Sequence, residues 1–395
     1  MNVDPRVVVT GAAADSCCGL GSEVFWERLS NGTSVNAEER SGTLRRFTPS
    51  GVVSCRKRKI RADHPFAARL TDAIQHDLGQ FLEGLETEEK ERVGVALGSA
   101  YGHLRSYFAY YQTGTEKGYR FVNPRHFPFT APNYCTVEVN DVYSLWGSST
   151  TIGSGLSAGL EAIGYATAAI RRGQESAMLA GGMDELNDYN QHRLQAAGLC
   201  SSSGVVRPFA PNRDGTVAGE GIGVLLLQSE EEARRSGRQP LAEICGYAGG
   251  CGVHWTDGNA CRKAVRVIRQ ALTAAGLECS DVDVIFPSAN GTITGDAFEL
   301  ALLCELFGKD LPSILVCPVK ALVGECFAAS GVLQCLGAVY AVGRAPEGLS
   351  SYVSSPCDGT ELRIAERIHR RSTALVYSAG YDGTFSALVV RRLAV

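Results

Sequence analysis

The chain has 395 residues, 45% of them hydrophobic, and a formal net charge of −4 with acids and bases interleaved along its length. That is enough apolar material for one large core or two fused ones. It excludes the basic field that nucleic-acid binding requires, because RRSGR at 234–238 and RIHRRS at 367–372 are short surface clusters.

Met1 leads through Asp4 and Arg6 into the apolar run RVVVT (6–10), and no stretch approaches transmembrane length. A cytoplasmic protein without signal peptide or membrane span is therefore expected. After RVVVT come a glycine-rich loop and the amphipathic helix SEVFWERLSNG, closed by Gly32; GAAADSCCGLG lacks the G-x-G-x-x-G spacing of a dinucleotide site. The polar segment from Glu38 to Asp63 reads as surface loop. None of the fourteen cysteines forms a C-x-x-C pair and most stand in apolar surroundings, so they read as small buried hydrophobes, with no metal site expected.

From Pro65 a regular order begins: the helix DAIQHDLGQFLEGL, the strand RVGVALGSA (92–100) and the polar-aromatic helix HLRSYFAYYQ (103–112). The stretch Gly147–Gly173 then reads as a buried strand turning sharply into a long helix, with Leu156, Leu160, Ile163, Ala166 and Ile170 on one face. Small residues around the helix start let a backbone or a substrate approach its N-terminus, where unpaired N–H groups collect. That is a natural place for a nucleophile, and the sequence offers Leu156 and Ser157.

The second half repeats the pattern. The helix CRKAVRVIRQALTAAGL (261–277), the strand VDVIFPSANG (282–291) and the helix DAFELALLCELFG (296–308) answer the segment after Pro65. The 147–173 strand-turn-helix is answered by 315–343, and the hairpin-like TVAGEGIGVLLLQSEEE (216–232) by ALVYSAGYDGTFSALVVRRL (374–393). Two copies of one αβ unit imply an α/β fold of two pseudo-twofold-related halves, 1–235 and 236–395, joined through the charged helix EEEARRSGRQP.

Four segments, VVVTGAAA with the following GLGSEVFWERLSNGTS, MLAGGMDE (178–185), RPFAPNRDGTVAGEGIGVLLL (207–227) and SAGYDGTFSALVV (378–390), together resemble the β-ketoacyl synthases over nearly the whole chain. The resemblance implies the thiolase-like fold, two αβαβα half-domains in a layered core, with no cofactor. Members of the family condense acyl and malonyl thioesters, using a cysteine at a helix N-terminus and two histidines. Counting from Ala180-Gly181-Gly182, the cysteine position is Leu156; the histidine positions are Asn290, before Gly291-Thr292, and Glu325, five residues after the retained Lys320. All three catalytic groups are replaced. Asp184, Asp296 and Glu299 match scaffold acids, and Lys320 is a candidate partner for Glu325.

Within the family this pattern is similar to the chain-length factor, the ketosynthase β subunit of type II polyketide synthases. The shortened spacing between Gly291-Thr292 and Asp296 agrees, while Leu156 departs from the usual glutamine and leaves room for a reduced-chain or polyene pathway. The resemblance implies a heterodimer with a catalytic ketosynthase, an acyl carrier protein as further partner, and a tunnel shaped by both subunits. Tunnel-gating positions fall on or near His103, Ser106, Tyr107 and Tyr110, with Phe127 and Phe129 nearby in sequence.

Two alternatives stay open. Gly155-Leu156-Ser157-Ala158-Gly159 matches the G-x-S-x-G nucleophile elbow of a hydrolase, with His254 or His369 as later histidines. A self-sufficient acyl-thioester enzyme could instead use a relocated nucleophile, Ser154 or Cys135, with Asn290 as an oxyanion donor.

Overall fold

The computed structural model of the chain describes residues 5–30, 65–344, 362–364 and 372–393. Gly32, His369 and the expected loop from Glu38 to Asp63 lie outside them. Twelve strands occur among the described residues: β1 (Val7–Ser16), β2 (Gly19–Leu20), β3 (Val93–Gly98), β4 (Ser149–Ile152), β5 (Ala177–Asp184), β6 (Gly221–Ser229), β7 (Ala242–Gly250), β8 (Val284–Phe286), β9 (Leu315–Val316), β10 (Arg363–Ile364), β11 (Thr373–Ala379) and β12 (Phe385–Arg391). They are ordered β10-β9-β8-β11-β12-β7-β1-β6-β5-β3-β4, with β2 paired to β1.

The order repeats about the β7–β1 junction. In the first half β4 and β5 flank β3 in parallel, and β6 then β1 follow antiparallel. In the second half β9 and β11 flank β8 in parallel, and β12 then β7 follow antiparallel. The two halves meet where Val8 and Val9 pair with Glu243 and Ala242.

Alternation along the strands builds the layers, because successive side chains point to opposite faces. Leu225 and Leu227 of β6, Val284 and Phe286 of β8 and Leu388 and Val390 of β12 join one core with two central helices, Ala158–Arg171 and Ala328–Gly343. The other face of the first half, with Val95, Leu97, Val224 and Leu226, packs on helices Pro65–Glu83 and Tyr134–Tyr143. The other face of the second half, with Ile285, Leu375 and Val389, packs on helices Ala260–Ala274 and Ile293–Phe307. Helices therefore lie outside and between the two half-sheets.

The central helix starts touch. A Cβ on Gly159 would stand 2.2 Å from the Ala328 carbonyl oxygen, and one on Gly331 would stand 2.8 Å from Leu160 Cγ. Only residues without a side chain allow this approach. Leu160, Ile163, Ala166 and Ile170 are all buried, as their spacing predicts, whereas Leu156 precedes the helix, whose N-cap is Ser157.

Three local expectations need correcting. The first strand does not stop at Thr10 but runs to Ser16, because Gly11–Asp15 continue to pair with β6 after a bulge between Val9 and Gly11. Residues 216–232 are no hairpin: β6 is a single strand inserted between β5 and β1, followed by helix Glu230–Arg235, and only its counterpart β11–β12 is a hairpin. The strand at 282–291 is short, 284–286, and the remainder leaves the sheet to carry Asn290 inward. Among the described residues no helix is long and apolar enough to cross a membrane.

Candidate functional site

The site forms where the two central helices begin and the loops after β3, β8 and β11 converge. Gly155 has a φ of +103°, and a Cβ there would strike the Asp382 carboxylate at 2.1 Å. This turn delivers Leu156, whose backbone N–H donates to Asp382 Oδ2 at 2.9 Å and whose carbonyl accepts from Ser378 Oγ at 3.3 Å. Its side chain is buried with Phe327, Leu194 and Ala218. The position that the resemblance assigns to the nucleophile is thus an apolar bed.

Opposite stands a buried polar network. Lys320 Nζ donates to Glu325 Oε2 at 2.8 Å and to Ser288 Oγ at 3.1 Å. Asn290 Nδ2 donates to the same Glu325 oxygen at 3.0 Å, and Asn290 Oδ1 accepts from the Thr292 hydroxyl at 2.8 Å and backbone N–H at 3.2 Å. Glu325 Oε1 accepts from the Phe327 N–H at 3.2 Å and Ser330 Oγ at 3.0 Å. Asn290 and Glu325, the residues that the resemblance places at the histidine positions, therefore bond to each other and, through Glu325, to Lys320. A carboxylate spent on four donors is a structural anchor, and its charge opposes any enolate or oxyanion brought beside it.

Further acids hold the walls. Asp184 accepts from Ser99 Oγ and from the backbone N–H groups of Ala100, Tyr101 and Ala328, so it ties the loop after β3 to the second central helix. Asp296 accepts from the N–H groups of Phe209, Asn290 and Gly291. Burial pushes both carboxyls up to about 6 against these bonds, and pushes Glu299 up to about 8 with Asp296 adding to the effect.

The tunnel candidates divide. His103 and Phe129 are buried, each with its ring edge-on to Tyr134, at 6.2 and 4.8 Å between centroids. Ser106 and Tyr110 are half-buried, and the Tyr110 ring lies 5.9 Å from that of Phe127. Tyr107 and Phe127 face outward, 42% and 56% exposed. None of the six belongs to the apolar cluster around Leu156; that cluster instead packs against Tyr101 and Tyr381. Sequence reasoning missed both. Tyr101 directly follows the expected strand RVGVALGSA (92–100), but nothing in sequence joins it to Tyr381, 280 residues away.

The relocated nucleophiles lack the necessary geometry. Ser157 is wholly buried, its hydroxyl donates to Glu161 at 3.0 Å, and its φ of −89° is not the strained backbone of an elbow. Cys135 is buried in the outer core of the first half, and burial pushes its thiol well up, away from the reactive thiolate. Ser154 has no bond to a histidine among the described residues. The described cysteines are free thiols, and among the described residues no group of His, Cys, Asp or Glu is placed to hold a metal ion.

Layered halves whose central helices meet at a site between them define a condensing-enzyme scaffold. Comparison with known proteins gives the family: the β-ketoacyl synthase N-terminal domain matches residues 80–233 and its C-terminal domain matches 241–345, and the chain belongs to the β-ketoacyl synthase family. It is 28% identical to 3-oxoacyl-[acyl-carrier-protein] synthase 2 of Rhizobium meliloti, over 98% of this chain and 99% of that protein. It is 27% identical to the actinorhodin polyketide putative beta-ketoacyl synthase 1 of Streptomyces coelicolor, over 98% of this chain and 88% of that protein.

Two solved structures share the fold with a TM-score of 0.82. One is a type II polyketide synthase acyl-carrier protein in complex with its ketosynthase bound to the hexaketide, 24% identical over 99% of this chain and 100% of that one. The other is the ishigamide ketosynthase/chain length factor, 22% identical over the same shares. The fold is thiolase-like, as the resemblance implied.

Proposed function

We propose that this chain is the non-catalytic, chain-length-factor subunit of a type II polyketide synthase. It would pair with a catalytic ketosynthase and shape the tunnel that receives the growing chain, which an acyl carrier protein delivers. The observation that carries this reading is the fate of the three catalytic positions. Leu156 is packed into an apolar bed, while Asn290 and Glu325 are bonded to each other and, through Glu325, to Lys320. Chemistry has been replaced by satisfied structure, and the scaffold around it is whole.

Two surface features support a partner. Among the described residues strand β4 ends the sheet, so one side of it offers backbone groups to another chain. Helix Tyr134–Tyr143 packs beside it, with the Thr136 and Thr151 hydroxyls 2.7 Å apart, and the preceding segment exposes Tyr107, Tyr119, Phe121 and Phe127. Exposed aromatics grouped in this way favour an interface. Such a surface would place the expected gating residues against the partner's wall.

The test is co-expression with candidate catalytic ketosynthases of type II polyketide synthases, beginning with any encoded beside this chain. The expected result is a stable one-to-one heterodimer that makes polyketide, while this chain alone neither condenses nor hydrolyses acyl thioesters. Condensation by the chain alone, or failure to bind any neighbouring ketosynthase, would overturn the reading.

A further inference from the structure

Cys17 and Cys18 are the one pair of adjacent cysteines in the chain. They fill the two-residue turn between β1 and β2, where Ser16 pairs with Gly19. Gly19, at a φ of +122°, lets the chain reverse without either cysteine entering the left-handed region. The two thiols are hydrogen-bonded to each other. Cys17 is half-buried, whereas Cys18 is 4% exposed. Cys17 Sγ also donates to the Leu322 carbonyl at 3.6 Å. That carbonyl lies in the short helix Lys320–Val323, on the turn that carries the Lys320–Glu325 pair.

We propose that this vicinal dithiol is a reversible oxidation site: a small-molecule disulfide such as glutathione disulfide converts it to a Cys17–Cys18 disulfide, and the conversion releases the turn at Leu322. The Cys17 thiolate attacks one sulfur of the small-molecule disulfide, forming a mixed disulfide and expelling one thiolate. Cys18 then gives up its proton and attacks the Cys17 sulfur, expelling the second thiolate. The two expelled thiolates take up the two protons that the cysteines released, so two protein thiols are oxidised to one disulfide while one small-molecule disulfide is reduced to two thiols. Cys17 is the entry point, because Cys18 is covered and its thiol is held well up by the bond to Cys17 and by burial. Cys326 is wholly buried, and its thiol is pushed well up by burial and by the nearby Cys17 sulfur; the adjacent Cys18 is therefore the resolving thiol. The product is labile. Neighbouring Cα atoms stand about 3.8 Å apart, closer than the roughly 4.4–6.8 Å usual for a disulfide, and such strain makes the bond easier to reduce. Oxidation also takes the hydrogen from Cys17 Sγ, so its bond to Leu322 ends.

The test treats the full chain with glutathione disulfide, blocks remaining thiols with N-ethylmaleimide, digests with trypsin without reduction and weighs the peptides. Both cysteines lie on the single peptide 7–28. It should lose about 2 Da with no second peptide attached, and reduced glutathione should restore both thiols. In Cys18→Ser the reaction should stop at a glutathione adduct on Cys17; in Cys17→Ser modification at Cys18 should fall by at least about ten-fold. Hydrogen exchange across residues 320–326 should be roughly three-fold faster in the oxidised wild type than in the reduced protein, because a weak S–H···O bond no longer holds the turn. The wild-type readouts need no substitution, so they decide the matter even where a variant fails to fold. A peptide 7–28 that keeps both thiols, a cross-link from Cys17 to Cys326, or unchanged exchange in the oxidised chain overturns the proposal. No readout involves a ketosynthase, so the oxidation site and the subunit reading stand or fall separately.

Discussion

Lys320 and Glu325 are 4% and 1% exposed at their side chains, and a buried ion pair is costly to break from one side only. Lys320→Met should lower the unfolding free energy by about 3–5 kcal/mol, because it leaves Glu325 buried without its counter-charge. Lys320→Met with Glu325→Leu should recover part of that loss, and urea unfolding of both variants measures it. Glu299 gives a pH signature. Its folded carboxyl holds a proton up to about pH 8 against an ordinary value of 4.5, so its favourable contribution is complete below about pH 4.5 and is lost as pH rises to 8. The melting temperature should therefore fall between pH 6 and pH 8, and Glu299→Gln should flatten that slope. At this scale the sequence was legible where spacing is short: Lys320 and Glu325 are five residues apart in sequence, and their pairing was readable. Contacts such as Leu156 with Asp382, 226 residues apart, have no local signal.

The two central helices depend on Gly159. Gly159→Ala would set a methyl group 2.2 Å from the Ala328 carbonyl oxygen and 2.7 Å from Val332 Cγ2. Overpacking of this kind costs about 1–3 kcal/mol, and here the near atom is backbone and cannot rotate away. Thermal unfolding should show the loss, whereas Gly173→Ala, which meets nothing within 4 Å, should lose only what its φ of +67° imposes. Long periodic helices such as Ala158–Arg171 and Ala260–Ala274 were readable to within a few residues because their buried faces repeat. Strand ends were not, because β1 continues through GAAADS by pairing with β6, more than 200 residues away. The pattern of small residues there reads as loop until a partner is supplied.

For the whole molecule, the exposed aromatics near β4 make the partner claim testable without touching the buried site. Tyr107→Glu with Phe127→Glu should weaken co-purification with the ketosynthase by at least ten-fold while leaving the melting temperature of the isolated chain unchanged, since both side chains face outward. Tyr110→Ala in the assembled complex should lengthen the polyketide, read by mass spectrometry; an unchanged product distribution removes Tyr110 from the tunnel. The duplicated order of strands was visible in sequence because each half repeats the same alternation of apolar strand and amphipathic helix. The way the halves close on each other at Tyr101 and Tyr381 was not.

The network around Glu325 also bears on how this chain could change over generations. Restoring a histidine at 325 alone would strand the Lys320 ammonium and the Asn290 amide; restoring one at 290 alone would take a donor from Glu325; and a cysteine at 156 would gain no base. Every single step back toward condensation passes through a less stable or still inert protein. On the proposed reading, the network acts as a ratchet, making a loss of chemistry the kind of change that point mutation does not readily undo.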